Sequence, residues 1–150
     1  MDLSRFKWPL IILIVGGAIW LVTDPGVDYM FNKFTKGEVG ADPKKDELNE
    51  VGLTRLADFL MKTFRYARAA EVINADLDRY PQGKNALLNY YRLAKCVEKM
   101  GQYADSVKIL QDLRDQEAHS TDERVPERDV LQLRIDKLVE THELGEIGKA

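Results

Sequence analysis

Leu87-Leu88-Asn89-Tyr90-Tyr91-Arg92-Leu93-Ala94-Lys95-Cys96-Val97-Glu98-Lys99-Met100-Gly101-Gln102-Tyr103-Ala104-Asp105-Ser106-Val107-Lys108-Ile109-Leu110-Gln111-Asp112-Leu113 is the stretch whose reading decides the fold. Apolar or small side chains recur every three or four positions on both sides of Gly101, through Tyr90, Leu93, Ala94 and Val97 and then Ser106, Val107, Leu110 and Leu113. That is the period of a helix with one buried face. A glycine just past a helix end accepts the left-handed backbone that satisfies the last carbonyls, so Gly101 separates two helices. Tyr103 can then pack back over the corner.

At these residues the chain resembles the tetratricopeptide repeat, a helix-turn-helix unit of about 34 residues. The resemblance rests on Tyr90, on Leu93-Ala94, on the turn pair Met100-Gly101 with Tyr103 two residues on, and on Ser106 and Leu110 in the second helix. Sliding the sequence on itself finds a second copy upstream: Tyr66 lies over Tyr103, Ala69 over Ser106 and Ile73 over Leu110. Its first helix carries Leu53, Leu56, Ala57, Leu60 and Phe64, and Pro81 closes its second. Two departures stand out. The upstream turn, Thr63-Phe64-Arg65, has no glycine, and the copies are a few residues further apart than the repeat requires, an excess placed at residues 83–85.

The chain has 150 residues, 45% of them hydrophobic and 31% charged, which fits one small domain with appendages. A net charge of -3 with no basic stripe gives no reason to expect nucleic acid. Cys96 is the only cysteine, so no intramolecular disulfide can form, and its helical position reads as a small buried residue.

Residues 8–22 carry no charge, and with Leu3 and Phe6 the apolar reach approaches the roughly 20 residues that cross a bilayer. Residues 1–23 therefore read as an N-terminal transmembrane anchor that contacts the bilayer through residues 3–22. A cleaved secretory leader is the competing reading, but Ile19-Trp20-Leu21-Val22-Thr23-Asp24-Pro25 lacks the small-x-small cleavage pattern. Arg5 and Lys7 precede the run and Asp24 and Asp28 follow it, which leaves the amino terminus in the cytoplasm and the repeats outside, in the periplasm if the source is bacterial.

Residues 24–46 read as a juxtamembrane segment. Val27, Met30, Phe31 and Phe34 share one helical face, and a Gly- and Pro-containing tether follows over residues 37–46. Residues 47–144 form the repeat domain. Its last helix opens after Pro126 and carries Leu131, Ile135, Leu138, Val139 and His142 on one stripe. That helix reads either as a solenoid cap or as the first helix of a third repeat. Residues 145–150 are expected to be a disordered tail. The fold expectation is thus all-α: a transmembrane helix, then a short solenoid of two repeats plus a capping helix.

No catalytic constellation rises above background. His119 and His142 lack ligands at metal spacing, and the acidic residues Asp122, Glu123, Glu127 and Asp129 lack the pattern of a calcium loop. Neither an enzyme nor a cofactor is expected. The family resemblance instead implies a partner groove lined by the first helix of each repeat. It points Val51, Thr54, Asp58, Met61 and Lys62 from the first copy, and Leu88, Tyr91, Arg92, Lys95 and Lys99 from the second, toward a peptide or helix with a preference for acidic segments. Tyr91, Met61 and Leu88 could equally pack against the final helix or the juxtamembrane segment. Two repeats make a small core, so a homodimer is also open. The function expected is a membrane-anchored interaction scaffold. A structural subunit of a membrane complex and a periplasmic chaperone-like helper are the alternatives.

Overall fold

The computed structural model describes residues 3–145, with side chains from residue 7 onward. Among the described residues every regular element is a helix, so the all-α expectation holds. The helices are α1 (Leu3–Val22), α2 (Asp24–Thr35), α3 (Pro43–Lys62), α4 (Tyr66–Arg79), α5 (Ala86–Lys99), α6 (Tyr103–Asp115), α7 (Ala118–Thr121) and α8 (Arg128–Thr141). The chain divides into two compact units, Met1–Lys36 and Gly37–Ala150. The expected tail beyond Gly145 lies outside the described residues.

In the first unit, α1 and α2 meet at an elbow of 75°. The Thr23 amide and hydroxyl both donate to the Trp20 carbonyl, at 3.1 and 2.5 Å, and the Val27 amide starts α2 by donating to Thr23 O at 3.0 Å. Gly26 is buried in the elbow, where a Cβ would run into the backbone of Trp20 and Leu21. The Trp20 and Tyr29 rings face each other across it at 6.0 Å. In α2, Val27 is fully buried and Met30, Phe31 and Phe34 are half-buried, the face expected from their spacing. Every described side chain from Lys7 to Val22 is exposed, including Trp8, Leu13 and Ile12 at 72%, 73% and 67%.

The second unit is built on one turn used three times. After α3, α5 and α8 the chain enters the left-handed region at Phe64 (φ 60°), Gly101 (φ 81°) and Glu143 (φ 51°). At each, the next amide reaches back to the carbonyl five residues earlier: Arg65 to Leu60 (2.8 Å), Gln102 to Val97 (2.9 Å) and Leu144 to Val139 (3.1 Å). Phe64 and Gly101 also donate three residues back, to Met61 O and Glu98 O, at 3.1 and 3.0 Å. This bonding pairs carbonyls that a helix end would otherwise leave without donors. The upstream turn therefore has the same geometry as the downstream one although it has no glycine. Phe64 takes the strained conformation with its ring 78% exposed and edge-on to Tyr66 at 6.2 Å.

Because the turns match, Tyr66 and Tyr103 both open the following helix, preceded by residues of nearly equal backbone angles, Arg65 (φ -90°, ψ 59°) and Gln102 (φ -87°, ψ 64°). Ala69 and Ser106 are then both fully buried, small enough for their helices to approach the partner helix closely, and Ile73 and Leu110 fill the core. Successive helices pack α3 on α4, α4 on α5, α5 on α6 and α6 on α8. The last layer joins Ala94, Val107, Leu110 and Leu113 to Leu131, Ile135 and Leu138. Full burial of each Leu or Ile contributes about 1.5–3 kcal/mol. The Tyr103 ring stacks on His142 at the end of α8, centroids 3.4 Å apart, which explains why a histidine sits on that apolar stripe.

The links are more ordered than their composition suggests. Residues 43–46, expected in the tether, form the first turn of α3, capped by the Asp42 carboxylate accepting from the amides of Lys44 and Lys45 at 3.1 and 3.4 Å. Gly40 N donates to Asp46 Oδ2 at 2.7 Å and Arg79 donates to Gly37 O at 2.9 Å, so the glycine segment is tied to the domain. The excess residues between the repeats are held from beneath by the buried Glu50, whose Oε1 accepts from Asn85 N at 2.7 Å. A Cβ on Gly83 would lie 2.5 Å from that same oxygen, so any other residue there must displace the Glu50 carboxylate. Between α6 and α8, Ala118 and Val125 are buried, and α7 is a helical turn inside what reads in sequence as a polar link. Arg124 crosses from this link to the previous one, donating to Asn85 Oδ1 (2.8 Å) and Lys84 O (2.9 Å) while Asp122 holds its other side at 2.8 Å.

Candidate partner-binding face

The first helices of the hairpins, α3 and α5, carry all the residues expected to line a groove, and the structure treats them unequally. Thr54 is turned inward: its hydroxyl donates to Asp76 Oδ2 at 3.1 Å, and Asn89 Nδ2 donates to both at 3.0 and 2.6 Å. Three side chains from α3, α4 and α5 thus form a buried polar knot. Asp76 is 2% exposed and its Oδ1 has no donor. Burial raises its pKa to about 7, against a smaller lowering by the Thr54 hydroxyl and with a further rise from the nearby Glu50 charge. No spacing rule brings residues 54, 76 and 89 together, so the knot has no signal in the sequence.

Tyr91 is half-buried, packed on the cluster that includes Leu131, Ile135 and Leu138 of α8, with the Lys95 ammonium 4.9 Å from its ring centroid and the Arg134 guanidinium at 6.0 Å. Arg134 of the final helix thus lies over its ring. Tyr90, read as the core aromatic of this helix, is 37% exposed instead. Leu88 and Met61 are half-buried. Arg92 is tied across to α3, donating to Asp58 Oδ1 at 3.1 Å and Thr54 O at 3.2 Å, while Lys62 holds the other oxygen of Asp58 at 2.7 Å. One layer further on, Arg134 of α8 donates to Glu98 of α5 at 2.6 Å.

What remains on this face is a cationic strip. Against Asp58 and Glu98 stand Lys62, Arg92, Lys95, Lys99 and Arg134, so positive charge is in excess locally although the whole chain is acidic. Among the described residues neither Lys95 nor Lys99 has a carboxylate partner, and Lys99 is exposed. Met61 and Leu88 place half-buried apolar surface among the cations.

Other chemically suggestive residues have structural roles. Cys96 is fully buried and burial pushes its thiol up to about 11, which leaves it un-ionised at neutral pH. His119 Nδ1 lies 2.7 Å from Val125 O and closes the α7 link. A cavity of about 170 Å³ between the end of α6 and the start of α8 is lined by Leu113, Ala118, His119, Pro126 and Leu131. Of the two arginines on its wall, Arg114 pairs with Asp115 at 2.7 Å and Arg128 with Glu117 of the same wall at 3.6 Å. Asp122 clamps Arg124, whose guanidinium holds its carboxyl below the usual carboxylate range. Among the described residues no group of three or more His, Cys, Asp or Glu is placed to hold a metal ion. No described helix is by itself long and apolar enough to cross a membrane, though α1 and α2 taken together across their bend are. Comparison with family models, with curated proteins and with solved structures finds no match to this chain.

Proposed function

We propose that this chain is a membrane-anchored interaction scaffold: α1 enters the bilayer, and a tetratricopeptide-like domain presents its cationic strip to an acidic segment of a partner protein. The observation that carries the reading is α1 itself, whose tryptophans, leucines and isoleucines from Trp8 to Leu21 are exposed on every side. An apolar surface that surrounds a helix is unfavourable in water and suited to lipid. The charge asymmetry around it favours a cytoplasmic amino terminus with the repeats on the other side of the membrane. Anchoring raises the local concentration of any partner in the same membrane, so a strip that binds weakly in solution suffices.

The test has two parts. Full-length protein should resist alkaline extraction from membranes and float with liposomes; recovery in the soluble fraction refutes the anchor. In detergent, Lys95→Glu combined with Lys99→Glu should abolish capture of acidic peptides while the circular dichroism spectrum is unchanged, since neither lysine supports the core. Equal capture by the variant and the parent refutes the strip.

A further inference from the structure

The three matching turns put the first helices of the hairpins in a common register, and that register exposes an inconsistency at the end of the stack. Ten residues before Phe64, Gly101 and Glu143 stand Thr54, Tyr91 and Leu133; thirteen before stand Val51, Leu88 and Val130. In the first two helices these positions are buried or half-buried. Thr54, 8% exposed, bonds to Asn89 of α5, and Tyr91 is half-buried against α8. On α8 the same positions are bare: Leu133 is 70% exposed and Val130 53%. The face that recruits the next helix twice along the chain is presented a third time without one.

The charges around Leu133 select the occupant. Asp129 and Lys137 lie four residues before and after it, on the same side of the helix and with opposite signs. If a second α8 lies antiparallel across the first with the two Leu133 side chains on the two-fold axis, each Asp129 faces the other copy's Lys137. Val130 then faces Asp136, and no like charges are set opposite. A parallel arrangement would oppose Asp129 to Asp129 and Lys137 to Lys137. A self-complementary patch of this kind is what a two-fold interface requires.

We propose that the exposed α8 face is the contact of a homodimer, in which two copies pair antiparallel with Leu133 against Leu133, flanked by reciprocal Asp129–Lys137 ion pairs. The apolar patch is small, so the dimer is weak and gains most from copies held in one membrane. This surface is the exposed face of α8, whereas the cationic strip lies on α3 and α5 with Arg134 of α8 at its edge.

Disulfide trapping of the full-length chain in nanodiscs or detergent tests the arrangement, with buried Cys96 left in place. Leu133→Cys should form a covalent dimer on mild oxidation. Asp129→Cys and Lys137→Cys should each stay monomeric alone and cross-link when mixed. Separately, Leu133→Lys should lower the dimer fraction in chemical cross-linking roughly tenfold. Asp129→Lys should lower it too, with recovery in the double variant carrying Lys137→Asp. Cross-linking of Asp129→Cys to itself, monomer throughout, or adducts only with a different protein would each overturn the proposal.

Discussion

Replacing Asp76 by Asn should stabilise the repeat domain, and more so at higher pH. In the unfolded chain this carboxyl titrates near 3.8, whereas in the folded domain burial raises it to about 7. Well below pH 3.8 it is neutral in both states and carries no penalty. Between the two values the unfolded chain releases the proton and the folded one retains it, so stability falls as pH rises. Above about 7 both states are ionised and the penalty is constant. At about 1.36 kcal/mol per pH unit, that interval corresponds to roughly 4 kcal/mol. Asparagine keeps an acceptor for the Thr54 hydroxyl and Asn89 amide and never ionises. Burying its unpartnered amide hydrogens offsets part of the gain, by about 1–3 kcal/mol. The difference between variant and parent is therefore the cleaner measure, and it should widen by roughly 2–3 kcal/mol between pH 5 and pH 8. Urea unfolding of the Gly37–Ala150 fragment at several pH values, read by circular dichroism, measures it. Parallel stability curves for the two proteins across this range would refute the reasoning and place the Asp76 proton elsewhere.

Phe64→Gly should raise stability by about 0.5–1 kcal/mol, because a left-handed backbone suits glycine and the ring is mostly in solvent. Gly101→Ala should lower stability by about 1 kcal/mol at the equivalent turn, since nothing lies within 4 Å of the added methyl and only the backbone conformation is penalised. Both are read from denaturant midpoints, and a shift of the same sign in the two variants counts against equivalent turns. Gly83→Ala should push Glu50 off the Asn85 amide and cost about 1–3 kcal/mol, with faster amide exchange at residues 83–86 as its signature; unchanged exchange there would show that the link does not depend on Glu50. Gly26→Ala should open the elbow between α1 and α2, which a spin-label pair at Trp8 and Lys33 would register as a longer distance.

The parts of this fold that could be read in advance are those repeated at helical period. Tyr66, Tyr103, Ala69, Ser106, Ile73 and Leu110 were identifiable because one hairpin is written twice, and each such pair holds equivalent positions in its helix, although the two tyrosine rings meet different partners. What escaped depends on contacts between residues far apart in sequence. The Thr54–Asp76–Asn89 knot and the Arg124 clasp join side chains that share no period. Phe64 escaped because its conformation is set by the carbonyls behind it and contradicts its own preference. Tyr90 and Tyr91 are adjacent and chemically alike, so only the position of α8 decides which of them is the more enclosed.

The cationic strip is best understood through the ties that surround it. Exposed ion pairs contribute little to stability, on the order of 0–1 kcal/mol, so Lys62–Asp58 is not what holds the stack together. Arg92 differs, since one guanidinium joins a carboxylate and a main-chain carbonyl of α3 and fixes the spacing of α3 and α5. Glu50 and Arg124 do the same for the links, by satisfying backbone groups that would otherwise need water. The strip therefore rides on helices already locked in position, and an acidic segment arriving there has little protein to order. Binding to a prearranged surface loses less entropy and depends more purely on charge. Such binding weakens steeply as salt rises past the point where the screening length falls below about 10 Å, whereas the α8 contact, centred on Leu133, should persist into higher salt because its core is apolar.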